Sequence, residues 1–346
     1  MYIQSTAAVT PQASFEKILV NPDTYSGDKL ACVEPDYTTY IDSKQIRRMS
    51  RVIKMGVAAA MDCLKAAGVQ QPDAFVTGTA YGCLADTEAF LSRMVSFNEE
   101  LLSPTSFIQS THNTVGAQIA LMLQCHNYNN TFVHRGFSFE NALLDASLLL
   151  AEEEAGNVLV GAVDEIVEAS HNILQRFGLY KNREQSVDLL TQPAQGTMNG
   201  EGAVFFLING KKEDNSMAKL NDVHTFYKPM SDQEIEAEIE KFLAKQSITL
   251  DDVDIILTGL NGDAANDEVY TTLQAGVLQN RPLSGFKHLC GEYPTATAFA
   301  VWLAANILHT GKVPATVGVT AAAPKRILIY NHQQHIHHAL FLLTAC

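Results

Sequence analysis

Four histidines, His332, His335, His337 and His338, crowd one short segment, NHQQHIHH, near the end of the sequence. Neutral imidazoles so close together are candidate metal ligands. In a strand, however, His335 and His337 would share one face while His338 faced the other. No cysteine is adjacent and the nearest acidic residue is distant in sequence, so no metal site is expected. Ser138, in GFSFE, is a candidate nucleophile, but the run lacks the last glycine of a G-x-S-x-G elbow. Capping a helix is its simpler role. Lys287 and Glu292 are suited to an ion pair, and Asn266 and Asp267 to holding a loop through backbone bonds. Six cysteines (Cys32, Cys63, Cys83, Cys125, Cys290, Cys346) are scattered, with no CxxC pair and no metal-type spacing. They read as reduced thiols.

These groups must be positioned by a framework of alternating strands and helices, the α/β signature. The chain has 346 residues, 47% of them hydrophobic and 18% charged, which excludes a disordered chain. Lys+Arg number 24 and Asp+Glu 38, so 24 − 38 gives −14. That balance argues against nucleic acid or an anionic membrane as the main partner. No signal peptide and no membrane span are visible, which points to the cytoplasm. Asp42-Ser43 is expected to cap a helix running to about Gly68, with Ile46, Met49, Ile53, Val57, Ala60 and Leu64 as its buried stripe. Arg47, Arg48, Arg51 and Lys54 lie largely off that stripe and read as a solvated face. NNTFVHR, NVLVGAVDEI, GAVFFLI, DVDIILTGL, RILIYN and HALFLLTA read as strands. The nearly all-apolar NVLVGAVDEI fits a sheet covered on both faces. The polar run GKKEDNSMAK, at 210–219, marks a surface connection between residues 1–210 and 211–346. Neither a Rossmann nor a P-loop motif is present, and no cofactor is expected.

Seven segments in order resemble a β-ketoacyl synthase, a condensing enzyme of the thiolase fold. They are RRMSRVIKMGVAAAMDCLKAAGV, GTAYGCLADTEAF, HNTVGAQIALMLQ, NVLVGAVDEI, MNGEGAVFFLI, DVDIILTGLNGDAANDEVY and FKHLCGEYPTATAFA. The resemblance covers nearly the whole chain. It implies two similar α/β halves, each with a mixed five-stranded sheet, stacked as an α-β-α-β-α sandwich. It also implies that Cys83 and Cys290 lie near the family's pocket, and that the Arg47–Lys54 face could meet an acidic carrier protein.

The family's three catalytic places are vacant. Its nucleophilic cysteine would fall on Phe137, or on Gly136 in the neighbouring register. Its two histidines, which stabilise the enolate formed on decarboxylation, fall on Gly259 and Glu292. Glycine offers no side-chain donor, and an ionised glutamate would repel the developing anion. Glu140 would likewise oppose a thiolate nearby. NHQQHIHH stands where the family has a flexible glycine-phenylalanine loop. Such a chain resembles the chain-length factor, the cysteine-lacking partner of a ketosynthase in type II polyketide and aryl polyene systems. The resemblance implies a non-catalytic subunit pairing with an active β-ketoacyl synthase or with itself. It also implies access of acyl carrier protein through that complex, and a role in shaping the acyl tunnel. Phe132, His134, Gly136, Phe137, Ser138 and Phe139, with Lys287, Asn266 and Asp267, would line the pocket or interface. The alternatives are an acyl-transferring or condensing enzyme using Ser138, Glu292 or His134, and a homodimeric acyl-ligand-binding protein.

Overall fold

The computed structural model describes residues 1–182, 184–279, 281–319 and 322–346. Ten strands carry the architecture: β1 (Tyr2–Val9), β2 (Ala74–Gly78), β3 (Tyr128–Phe132), β4 (Asn157–Asp164), β5 (Gly202–Asn209), β6 (Ala218–Tyr227), β7 (Ile255–Thr258), β8 (Leu283–Gly285), β9 (Arg326–Gln333) and β10 (His337–Ala345). Their order is β8-β7-β9-β10-β6-β1-β5-β4-β2-β3. The runs β1-β5-β4-β2-β3 and β6-β10-β9-β7-β8 have the same senses: antiparallel, antiparallel, parallel, parallel. Two five-stranded runs of one design are thus present. They join edge to edge, through Tyr2↔Lys219 and Ile3↔Ala218, into a single ten-stranded sheet.

Eight helices complete the layers: α1 (Arg51–Ala67), α2 (Leu84–Ser96), α3 (Thr114–Met122), α4 (Ser138–Ala151), α5 (Glu168–Arg176), α6 (Asp232–Lys245), α7 (Ala264–Ala275) and α8 (Thr297–Thr310). Alternate strand residues show which face meets which helices. Val158, Val160, Phe206, Ile208, Ile329 and Phe341 share one core with α4 and α8. Leu159, Phe205 and Leu207 face α1 and α3. Leu328, Tyr330, Leu340 and Leu342 face α6 and α7. The two five-stranded runs of this continuous sheet thus lie on opposite sides of α4 and α8, and the layers are helix, sheet, helix, sheet, helix, as the resemblance implied. Helix α8 is buried on every side, which is why AFAVWLAANIL carries no polar stripe.

One expected element differs. Asp42 caps only the four-residue helix Ser43–Ile46, its carboxylate accepting from the Lys44 N–H at 2.8 Å. The chain then breaks, and α1 starts after Ser50. The break turns Arg51 inward, so the basic run is not wholly a solvated face. Gly68 ends the helix at φ 70°, a left-handed conformation that glycine adopts without steric cost.

Candidate functional site

Strand β3 leads through a tight turn, Arg135–Phe137, into α4. Here the family resemblance would place a thiol. Phe137 is only 7% exposed. Its ring meets the His337 imidazole edge-on, centroids 4.7 Å apart, and His134 lies at 5.7 Å. Gly136 faces the β9–β10 hairpin, and a Cβ there would stand 2.5 Å from Gln333 Oε1. A side chain at Gly136 would therefore have to displace Gln333, and the Phe137 place is taken by its ring.

The neighbouring side chains are committed to the framework. The Ser138 hydroxyl donates to the Arg135 carbonyl (2.9 Å) and accepts from the His134 N–H (2.8 Å). It is fully buried, so it closes the turn and is not presented to a substrate. Phe139 lies 5.8 Å from Phe206 and 6.4 Å from Phe341, bridging strands of both halves. Phe132 is half-buried against the same core. His134 is exposed, its Nδ1 3.1 Å from Asn141 Nδ2. Glu140 has no exposed surface, and neither carboxyl oxygen has a hydrogen-bond partner of regular geometry among the described residues. Burial pushes its carboxyl up to about 8; its own backbone N–H and the Thr297 hydroxyl offset part of that rise. At neutral pH it is largely a neutral acid.

Both histidine places are filled differently. Gly259 follows β7, and a Cβ on it would overlap Asn331 Oδ1 and stand 2.6 Å from Tyr270 Oη. Asn331 is held there by its Nδ2 donating to Thr297 Oγ1 at 3.1 Å. Glu292 accepts through one oxygen from Lys287 Nζ (2.6 Å) and Asn261 Nδ2 (2.7 Å). Lys287 is almost fully buried, so this pair is a fixed internal one. Asp267 accepts from the Asn261 and Gly262 N–H groups at 2.9 and 2.8 Å, and burial pushes it up to about 6. Asn266 contributes its carbonyl, which receives His332 Nε2–H at 2.9 Å. The structure thus groups Lys287, Glu292, Asn261 and Asp267 in one network. Phe137 and His134 stand against the hairpin.

The histidine segment departs from a continuous strand. Gln334 and His335 form the β9–β10 turn with φ of 54° and 53°. His335 therefore does not share a face with His337. It stacks on His332 (4.5 Å), and His338 stacks on the same ring (5.4 Å), while His337 points to Phe137. His332 Nδ1 accepts from the His335 N–H at 3.2 Å, which fixes the neutral Nε2–H tautomer. Burial holds His332 well below the usual imidazole range and His338 near about 4. Among the described residues no three ligating side chains converge as a metal site would require. Cys83 and Cys290 are buried; burial lifts Cys83 to about 12 and Cys290 well above its ordinary value. Neither is a reactive thiolate.

Two polar anchors escaped the sequence reading. Arg51 forks onto Glu201 with two 2.6 Å bonds, and its Nε donates to Glu34. Glu201 is 1% exposed and also accepts from the Cys32 and Ile166 N–H groups. Asp164, closing β4, accepts from Thr79, Ala80 and Tyr81 and from Thr295 Oγ1 at 2.7 Å. The acidic positions of GEGA and VDEI were the available signals. Their partners lie far away in sequence, beyond the reach of spacing.

At the sheet's end, β3 is paired among the described residues only on its β2 side. Exposed Leu121, Val133, Leu144 and Leu148 come from α3, the end of β3 and α4. An open edge with apolar residues around it is a template for another chain.

The family model described as "Beta-ketoacyl synthase, N-terminal domain" matches residues 30–245. No curated protein matches the chain in sequence. Among solved structures, "The ishigamide ketosynthase/chain length factor" superposes with a TM-score of 0.84 at 15% identity, covering 100% of this chain and 98% of that one. A β-ketoacyl synthase from Burkholderia phymatum gives 0.80 at 14%, covering 100% and 99%. A ketosynthase (ApeO) in complex with its chain length factor (ApeC) from Xenorhabdus doucetiae gives 0.76 at 16%, covering 100% and 98%. With the five-layer fold, the GEGA strand and this match over most of its length, the chain belongs to the β-ketoacyl synthase family.

Proposed function

We propose that the chain is a non-catalytic, chain-length-factor-like subunit. It pairs with an active β-ketoacyl synthase and shapes the tunnel that receives the growing acyl or polyene chain. The observation that carries this reading is the filled centre. Phe137 is packed where a thiol is needed, Gly259 has no room for an imidazole, and Glu292 is tied to Lys287. A condensing site needs a nucleophile and donors aimed at the developing oxyanion, and the three family places supply neither.

The open edge of β3 and the apolar residues around it support pairing through that side. In this reading the active partner supplies the thiol, and acyl carrier protein delivers its chains to the complex. Residues 1–210 and 211–346 are the two halves of one ketosynthase-like unit. Structures titled as a ketosynthase with its chain length factor are among those with this fold. The setting proposed is cytoplasmic; no described helix is long and apolar enough to cross a membrane.

The reading of an enzyme using Ser138 is weakened by the buried, doubly bonded hydroxyl. Intact-mass measurement after incubation with acyl-loaded carrier protein tests it. An adduct lost in Ser138→Ala would restore the enzyme reading, and an unmodified chain supports the subunit. A homodimeric acyl-binding protein would instead retain lipid in native mass spectra of the chain alone.

A further inference from the structure

A cavity of about 650 Å3 lies on the outer side of the second half, remote from the vacated centre. Its walls come from the start of β6, the end of β10, the start of β9 and the chain just after α6. That volume falls in the usual range of small-molecule sites. Half-buried Ile248 supplies the apolar wall, and Asn221, Gln246, Lys325, Arg326 and Thr344 supply polar atoms beside the terminal Ala345-Cys346.

Lys325 and Arg326 are the charged side chains of this lining, in a chain whose net charge is −14. Local carboxylates are already committed. Asp254 accepts from the Lys325 and Arg326 backbone N–H groups at 2.7 and 2.8 Å. Asp222 is held by Lys245 (2.7 Å) and Gln246 Nε2 (3.0 Å). Among the described residues no side-chain carboxylate pairs with the Lys325 ammonium. Arg326 makes one bond, from Nη1 to the Asp252 carbonyl at 3.3 Å, leaving most of its fork free.

The backbone makes a second, independent point. Strand β6 carries a bulge between Leu220 and Asp222, where its register against β10 shifts. Bulges re-aim a side chain, often beside functional sites. Here the extra residue is Asn221. Its Oδ1 accepts from Thr344 Oγ1 at 2.9 Å, which orients Nδ2 as a free donor. The cavity thus combines a guanidinium, an ammonium and an amide donor with an apolar wall.

We propose that this cavity is a binding site for a small organic phosphate, its phosphoryl group held by Lys325, Arg326 and Asn221 and its organic part lying on Ile248. Arginine forks and lysine point charges are the usual phosphate partners. No covalent step is involved.

Titration calorimetry of the full chain with phenyl phosphate, and separately with inorganic phosphate, tests the site. Saturable phenyl phosphate binding is expected, tighter than that of inorganic phosphate because of the apolar wall. In Lys325→Met/Arg326→Met it should weaken at least about tenfold, the scale of one lost charge-assisted hydrogen bond. It should be unchanged in Arg47→Met/Arg48→Met, a control for general charge. Lys325→Gln, a milder change, should weaken it too, so misfolding of the double variant cannot decide the result. No saturable binding, equal loss in the control, or binding indifferent to residues 325 and 326 would overturn the proposal. Equal affinity for the two phosphates would remove the assigned role of the apolar wall.

Discussion

The Phe137 ring stands edge-on to the His337 imidazole, centroids 4.7 Å apart, and joins the nucleophile turn of one half to the hairpin of the other. In the proposed reading this contact fills the place of the family's acyl-thiol. Phe137→Ala should destabilise the chain by about 3 kcal/mol through transfer and cavity terms. Denaturant melts of both forms give that value. In the complex with a synthase, the vacated volume should lengthen the product.

Supplying the missing catalytic side chains should not create a synthase. Gly259 abuts Asn331 and Tyr270, so even Gly259→Ala overpacks and should cost roughly 1–3 kcal/mol. The combined Phe137→Cys, Gly259→His and Glu292→His chain should form no condensation product in an assay with acyl- and malonyl-loaded carrier protein.

Glu140 makes stability depend on pH. Its folded carboxyl titrates near about 8, against an ordinary value of 4.5. The folded chain therefore binds this proton more tightly than the unfolded chain. Its contribution is complete below 4.5 and is lost as pH rises from there through 8. Glu140→Gln should remove that slope. At pH 8 it should stabilise by roughly 1–3 kcal/mol, the scale of an unsatisfied buried polar group. Urea melts at pH 5 and pH 8 read both effects.

Arg51 is a third exposed, but its partner Glu201 is not. Arg51→Met leaves the Glu201 carboxylate with only the Cys32 and Ile166 N–H groups. The expected cost is about 2–3 kcal/mol, below the usual range for a broken buried pair because water still reaches Arg51. Replacing both, Arg51→Met with Glu201→Gln, should recover part of it.

Which features the sequence disclosed follows from locality. Strand β4 and helix α8 were legible because burial on both faces leaves an unbroken apolar run. The assignment of Phe137, Gly259 and Glu292 to the family's catalytic places rests on motif spacing, which survives the loss of chemistry. The histidine segment misled because alternation assumes a strand, whereas Gln334 and His335 take left-handed turn conformations. The Arg51–Glu201 fork and the Asn331 filling beside Gly259 join residues 150 and 72 positions apart, so no local pattern announces them. Glu140, read as a charge, is buried without a regular partner and is largely neutral.

Co-expression with a cysteine-containing β-ketoacyl synthase, read by native mass spectrometry and product analysis, tests the central claim most directly. A one-to-one complex is predicted, whose product lengthens in Phe137→Ala and whose acyl adduct sits only on the partner. No complex, with product length indifferent to this chain and to Phe137, would contradict it.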